Sequence, residues 1–249
     1  MVCASSSEAG YADVNRVMAQ QFVQADTHLV NPVHFRRAMI AWGNKHFRAF
    51  PWRLTDDPYR ILMAEIMLHR TRARQVEPVY ERFIERYRDI LALQQTPREE
   101  LNSVLFSLGL HWRIDLIHQM VEELIVRFDG QIPYKKTDLL SLPGVGDYIS
   151  SAVRCFAWNQ AEPLIDTNTV RVVGRVFGLN IKDSSRRNQS IRELITALID
   201  PVEPRRYNYA LLDLADQVCT KKQPPNCGGC PLRRLCLFGI SSLAKSYEQ

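Results

Sequence analysis

The segment that decides the fold reads Leu142-Pro143-Gly144-Val145-Gly146-Asp147-Tyr148. It lies between a short predicted helix over residues 138–141 and a longer one that begins near residue 148. Two glycines two positions apart allow a tight turn, and the first amides of the following helix can then point outward together. Such amides bind anions, and a nucleic-acid phosphate is a natural occupant in a basic protein. A Pro-Gly turn is also common as a plain connection, so both interpretations remain open here.

Helical signals flank this turn along most of the chain. Asp57 can cap, and Pro58 can begin, a helix that is predicted to run through Thr71. Residues 114–128 place apolar side chains at helical spacing, and few segments alternate as strands would. The sequence therefore predicts an all-α protein without internal repeats.

Composition excludes several classes of protein. With 249 residues, 46% of them hydrophobic and 24% charged, the chain fits one large or two modest globular domains, not a disordered or fibrous protein. A net charge of +5 is compatible with a polyanionic partner. No apolar run approaches the roughly 20 residues that span a bilayer, and residues 1–21 do not resemble a secretory signal. We therefore expect a cytoplasmic protein with no membrane partner.

Four of the six cysteines crowd into the last part of the chain, as Cys219, Cys227, Cys230 and Cys236. In a reducing compartment such a cluster favours a metal site over disulfides. Four thiolates can hold a zinc ion or a four-iron, four-sulfur cluster, and the residues alone favour zinc slightly because it is the commoner occupant. Four unligated cysteines are the remaining alternative. Cys3 and Cys155 stand alone and are interpreted as plain thiols.

Glu65 is an unusual residue because apolar side chains surround it over residues 61–68. A buried carboxylate is costly unless it is paired, or unless a raised pKa makes it useful as a general acid. The alternative to a catalytic role is a hydrogen-bonded partner such as Arg70, Arg72 or Arg74.

Asp166 follows Pro163 and precedes an apolar-periodic stretch that ends at Gly178. A helix cap is its simplest interpretation. The backbone amides would hold a cap carboxylate ionised and in place, which also suits the stabilisation of a positively charged transition state.

These motifs together resemble the helix-hairpin-helix superfamily of DNA glycosylases, whose hairpin ends in Leu-Pro-Gly-Val-Gly and is followed by an aspartate about twenty residues later. The separation from Gly146 to Asp166 matches. Further segments resemble the MutY-type and thymine-mismatch branches: Phe50-Pro51-Trp52-Arg53, Asp57-Pro58-Tyr59, Glu65-Ile66-Met67-Leu68 with Arg70-Thr71, and Leu108-Gly109-Leu110. The resemblance spans residues 49–237.

The resemblance implies two helical domains flanking a DNA-binding cleft. The central domain, over residues 51–160, would be a six-helix, barrel-like domain that carries the hairpin. Residues 28–50 and 161–249 would form an iron–sulfur cluster domain, and residues 1–27 a flexible N-terminal extension. The expected partner is double-stranded DNA with a mismatched or damaged base, bound by a monomer.

The resemblance also implies that the four cysteines hold a [4Fe-4S] cluster, which reverses the preference for zinc. One departure concerns the first spacing, where Cys219 and Cys227 enclose seven residues and the family usually has six. Lys221, Lys222, Arg233 and Arg234 would then contact DNA phosphates.

The implied mechanism is the flipping of a damaged or mispaired nucleotide out of the duplex. Asp166 would stabilise the oxocarbenium-like sugar and orient water, and Glu65 would assist departure of the base. Leu110 matches the position of the family's wedge into the base stack, and His69 with Arg70 matches the region that reads the orphaned partner base. The hairpin residues expected to bind DNA are Leu142, Gly144, Val145 and Gly146.

Tyr148 is the most informative residue for the subclass. Bifunctional relatives carry a lysine at this position that forms a Schiff base with the sugar, and a phenol cannot form one. The resemblance thus implies a monofunctional glycosylase without strong AP-lyase activity, and Tyr148 favours thymine or uracil opposite guanine. The absence of an added 8-oxoguanine-reading domain after the cysteines points the same way. Two alternatives remain: an adenine glycosylase acting opposite 8-oxoguanine or on another modified base, and a non-catalytic iron–sulfur DNA-binding module.

Overall fold

A computed structural model describes residues 30–109, 113–222 and 224–244. These residues contain α-helices and short 3-10 turns and no β-strand, which confirms the prediction of an all-α protein. The helices are α1 (Pro32–His46), α2 (Pro58–Leu68), α3 (Ala73–Arg86), α4 (Ile90–Gln94), α5 (Arg98–Leu105), α6 (Ile114–Phe128), α7 (Lys136–Leu140), α8 (Asp147–Trp158), α9 (Thr167–Val176), α10 (Gln189–Leu198), α11 (Pro204–Gln217) and α12 (Leu237–Ala244). Within these stretches, no helix is long and apolar enough to cross a membrane.

The chain divides into two compact units. The hairpin unit comprises Phe47–Leu164 and Pro201–Arg205. The cysteine unit comprises residues 30–46, Ile165–Asp200 and residues 206–244 of the described chain. The predicted N-terminal extension, residues 1–27, lies outside the described residues.

The hairpin unit is organised around α2, which is apolar on nearly every face. Asp57 caps its start, where the Asp57 carboxylate accepts hydrogen bonds from the amides of Tyr59 at 2.9 Å and Arg60 at 3.4 Å. Pro58 occupies the first helical position, where a missing N–H costs nothing. Residues 61–67 are all buried, and α2 packs against α8.

The helix ends three residues earlier than the sequence predicts. It was expected to run through Thr71, but it stops at Leu68 because Arg70 adopts a left-handed backbone conformation with φ 65°. A non-glycine residue in that conformation cannot continue a right-handed helix. The turn after α2 therefore presents His69 and Arg70 outside the helix, and both are exposed.

A partly buried ionic network joins α7 and α8. The Glu162 carboxylate accepts hydrogen bonds from Lys136 Nζ at 2.8 Å, Arg154 Nε at 2.6 Å and Ser151 Oγ at 3.3 Å. Burial alone would raise the pKa of Glu162, but the hydrogen bonds and charges of Lys136 and Arg154 outweigh it and lower that pKa. Lys136 lies on α7 and Arg154 on α8, so one carboxylate joins the two hairpin helices.

Glu162→Gln is expected to destabilise the fold by about 2 kcal/mol, because it removes the partly buried counter-charge of Arg154 and leaves Lys136 with only the Asp147 carboxylate, at 3.4 Å. The pKa of Glu162 is depressed in the fold, so this stabilisation is present above its ordinary value of 4.5 and disappears as the pH falls through the lower, folded value. Urea unfolding at pH 7 and at decreasing pH measures both effects. Glu123→Gln, which breaks an exposed pair with Arg127, is the control. Equal losses for the two variants would contradict this account.

The cysteine unit has its own hydrophobic core. Phe35, Met39 and Trp42 of α1 pack there with Tyr207 and Leu214 of α11. The core also includes residues of α9 and α10, together with Leu232 and Cys236 from the cysteine segment. Packing the cysteine segment into this core fixes its position relative to α9, the helix that Asp166 caps.

Candidate active site and cysteine cluster

The hairpin turn presents backbone, not side chains, to its surroundings. Gly144 has φ 79°, which glycine adopts without strain, and the Val145 amide donates to the Leu142 carbonyl at 3.1 Å. Leu142 and Val145 are buried, with 3% and 5% of their surface exposed, so their side chains anchor the turn. Gly146 precedes α8 without a side-chain cap, and a Cβ atom there would meet open space. An anion can therefore approach the first amides of α8 closely.

A cavity of about 370 Å³ lies in the hairpin unit beside this turn. Its polar wall includes His69, Arg113, Asp147 and Tyr148, and Gly144 and Gly146 of the turn also line it. Apolar side chains form the rest of the wall: Ile66, Leu116, Ile117, Met120, Pro143 and Ile149. The structure thus brings together His69, Tyr148 and the two glycines, four of the residues singled out from the sequence.

Two arginines control the electrostatics of this cavity. Burial, followed by the charges of Arg113 and Arg70, lowers the pKa of His69. Burial and the charge of Arg70 also lower the pKa of the Arg113 guanidinium. With a pKa below its ordinary value of 6.5, His69 is mostly neutral at pH 7. A neutral imidazole offers one hydrogen-bond donor and one acceptor, so it can pair with a nucleobase edge without adding charge.

Glu65 lies one residue before the cavity-lining Ile66 and is 5% exposed. It is the buried acidic residue of α2, in keeping with the apolar pattern around it. Glu65 is predicted to act as a general acid or, alternatively, to pair with a nearby arginine, and both interpretations stay predictions.

Asp166 is the N-cap of α9, as the sequence predicts. Its Oδ1 accepts hydrogen bonds from the amides of Asn168 at 2.9 Å and Thr169 at 2.7 Å, and its Oδ2 accepts one from Asn168 Nδ2 at 2.7 Å. The side chain is half-buried. Three donors hold the carboxylate in one orientation, which is what stabilisation of a nearby positive charge requires.

The contacts of Asp166 continue to the cysteine segment. Asn168 Oδ1 accepts from Arg171 Nη1 at 3.0 Å, and Arg171 Nε donates to the Cys219 carbonyl at 2.9 Å. One turn further along α9, Arg175 Nη1 donates to Cys219 Sγ at 3.3 Å. A continuous set of hydrogen bonds therefore connects the Asp166 carboxylate to the first cysteine of the segment.

The four cysteines of the segment are free thiols that influence one another. Burial raises the pKa of Cys230 to about 11, and the nearby Cys219, Cys236 and Cys227 contribute to the increase. Burial likewise raises the pKa of Cys236, with smaller contributions from Cys219 and Cys227. Among residues 30–109, 113–222 and 224–244, no group of three or more His, Cys, Asp or Glu side chains is arranged around a single metal ion.

Donors to sulfur accompany these thiols. Besides the bond from Arg175 to Cys219, the Gly239 amide donates to Cys236 Sγ at 3.4 Å. Hydrogen bonds and a nearby cation both favour the thiolate form that ligates metal. The donor set therefore fits a group held by four thiolates.

Some of the site residues could be predicted from the sequence, and others could not. Leu110, the predicted wedge, lies outside the described residues. Sequence reasoning missed Arg113, Asn168 and Arg171. Asn168 has a local signal, since it follows the cap by two positions. Arg113 and Arg171 bond to carbonyls 47 and 48 residues away, which no local pattern reveals.

Comparison with known proteins finds a family match over residues 63–197, to the HhH-GPD superfamily base excision DNA repair protein. The chain is similar to the thymine/uracil-DNA glycosylase of Pyrobaculum aerophilum, with 40% identity over 84% of this chain and 93% of the relative. It is also similar to the adenine DNA glycosylase of Buchnera aphidicola, with 29% identity over 81% of this chain but 57% of the relative. Among solved structures, a thermostable thymine-DNA glycosylase aligns with a TM-score of 0.77 and 30% identity, over 84% of this chain and 97% of that one.

Proposed function

Because the chain belongs to the HhH-GPD superfamily of base excision DNA repair proteins and is a DNA glycosylase, we propose that it removes thymine or uracil mispaired with guanine. The observation that carries this substrate is the 40% identity to a thymine/uracil-DNA glycosylase over 84% of this chain and 93% of that relative. The similarity to adenine glycosylases is weaker and covers about half of their length. DNA is the partner. We also propose that the protein acts on duplex DNA as a monomer.

The proposed reaction is hydrolysis of the N-glycosidic bond of a flipped nucleotide. Asp166, held as a cap carboxylate by three donors, stabilises the positive charge that develops on the sugar and orients the attacking water. Glu65 protonates the departing base or organises its hydrogen bonds. The bare amides at the start of α8 hold a backbone phosphate.

Tyr148 supports a reaction without strand cleavage. Tyr148 lines the cavity. The family resemblance implies a lysine at this position in bifunctional relatives, and a phenol cannot form a Schiff base with the opened sugar. The abasic product is therefore released intact and breaks only when alkali is added.

The four-cysteine segment is proposed to hold a [4Fe-4S] cluster through Cys219, Cys227, Cys230 and Cys236. Free neighbouring thiols and hydrogen-bond donors to two of the sulfurs support this assignment. When bound, such a cluster crosslinks the segment and leaves no open position for chemistry. The bonds from Arg171 and Arg175 to Cys219 would then brace α9 and the Asp166 cap.

Metal analysis of the purified protein tests this cofactor. We expect about four iron atoms and four sulfides per chain, with broad visible absorption, because four thiolates are the usual ligands of this cluster. Cys230→Ser is expected to lose most of the iron and to lower the melting temperature. The control is Cys155→Ala, which removes a buried cysteine from the other unit and should keep the iron. One zinc per chain, or iron retained in Cys230→Ser, would contradict the assignment.

A panel of duplexes tests the substrate. Single-turnover reactions on T·G, U·G, A·8-oxoG and A·G pairs, each analysed before and after alkali, compare the two branches of the family. The proposal expects T·G and U·G to react fastest. A fastest reaction on A·8-oxoG would place the enzyme with the adenine glycosylases instead, and no cleavage of any duplex would favour a non-catalytic DNA-binding module.

A further inference from the structure

Arg113 is a buried arginine at the start of α6 that the proposed chemistry does not use. It is 6% exposed and lines the cavity together with His69 and Tyr148. Arginine is rarely buried so completely without a specific task for its charge and donors.

One donor of Arg113 holds the end of α2. Its Nη1 donates to the Ile66 carbonyl at 2.7 Å, across 47 residues of sequence. Ile66 lies in the last turn of α2, where carbonyls lack a partner within the helix. A cation at the carboxyl end of a helix is also favoured by the helix dipole. Arg113 thus fixes the turn that contains Glu65 and that His69 follows directly.

The charge of Arg113 acts on the same turn. The positive charge of Arg113 lowers the pKa of His69 more than the charge of Arg70, on the adjoining turn, does. From α8, Asp147 and Tyr148 face the same cavity. Arg113 therefore affects both the position of this turn and the protonation of the imidazole in it.

We propose that Arg113 is a positioning residue: it holds the carboxyl end of α2 so that Glu65 and His69 meet the nucleotide in the productive geometry. The inference rests on the proposed function, since it assigns Arg113 to the reaction in which Glu65 takes part. Small displacements of a catalytic group are costly, and about 1 Å can slow a reaction roughly 100-fold.

The test compares Arg113→Met with Arg113→Lys in the full-length enzyme. Single-turnover rate and amplitude are measured on the best duplex of the panel, and affinity on the same duplex. We expect Arg113→Met to react about 10- to 100-fold more slowly, with amplitude and affinity within threefold of the wild type. Arg113→Lys retains the positive charge and an N–H group that can donate to the Ile66 carbonyl, so it should recover most of the rate. Arg127→Met, on the exposed face of α6, is the matched control and should react like the wild type.

Two further readouts separate positioning from a merely structural role. In a double-mutant cycle, Arg113→Met should add little to the loss caused by Glu65→Gln, because it acts through that residue. Titration by NMR, with the His69 signal assigned through His69→Gln, should show a higher His69 pKa in Arg113→Met and no change in Arg127→Met.

Several results would overturn the inference. A lower amplitude with an unchanged rate would mean that Arg113 only supports folding. Weakened affinity with an unchanged rate at saturation would make Arg113 a DNA contact. If the rate losses of Arg113→Met and Glu65→Gln multiply in the double variant, the two residues act independently. An active wild type in any of these cases leaves the proposed function intact. A wild type that cleaves no duplex would overturn the proposed function and this role together.

Discussion

Asp166→Asn is expected to slow base release by about 1,000-fold or more while leaving duplex affinity within a few-fold of the wild type. The substitution removes the negative charge that stabilises the developing sugar cation in the proposed mechanism. It keeps an oxygen that can accept from the amides of Asn168 and Thr169, and asparagine is as good a helix cap as aspartate. The fold and the DNA-binding surfaces should therefore persist.

Single-turnover cleavage and duplex binding measure the two quantities separately. Asp89→Asn is a matched control, because Asp89 caps α4 through the Ala92 amide and has no place in the proposed site. Cleavage by Asp166→Asn at the wild-type rate would show that this carboxylate is only a cap.

Glu65→Gln is the second large effect, with an expected loss of about 100- to 1,000-fold in the rate of base release. Glutamine has nearly the shape of glutamic acid and can fill the same buried site on α2, but it cannot transfer a proton. The loss of rate should therefore be larger for a base that needs protonation in order to depart and smaller for one that departs readily without it.

A better leaving group makes this test sharper. Uracil that carries an electron-withdrawing 5-fluoro group departs more readily than thymine, so Glu65→Gln should lose less rate on that base opposite guanine than on T·G. Glu85→Gln, at an exposed position of α3, is the control. An equal loss on both bases would contradict a proton-transfer role, and no loss on either would make Glu65 a structural residue.

Local features of this fold could be predicted from the sequence. The start of α2 depends on Asp57 and Pro58, and the cap of α9 depends on Asp166; each acts within three residues of its own position. Helical periodicity likewise predicted the all-α class. Hydrogen bonds and backbone limits over a few residues suffice for such features.

Other features depend on contacts between distant segments. The end of α2 was predicted three residues too late, because the left-handed turn at Arg70 and the bond from Arg113 to Ile66 belong to the tertiary structure. The same holds for the link from Asp166 through Arg171 to Cys219, whose last bond joins residues 48 positions apart. Burial and helix capping suggested the roles proposed for Glu65 and Asp166, and the family resemblance made those roles specific. Neither pointed to the residues that position the two carboxyl groups.

The proposed reaction removes thymine opposite guanine without strand cleavage. The most direct measurement is single-turnover reaction of the wild-type enzyme with a T·G duplex and with the matching T·A duplex, analysed with and without alkali. We expect a much faster reaction on T·G than on T·A, and strand breaks that are seen only after alkali. Equal rates on the two duplexes, or breaks without alkali, would contradict it.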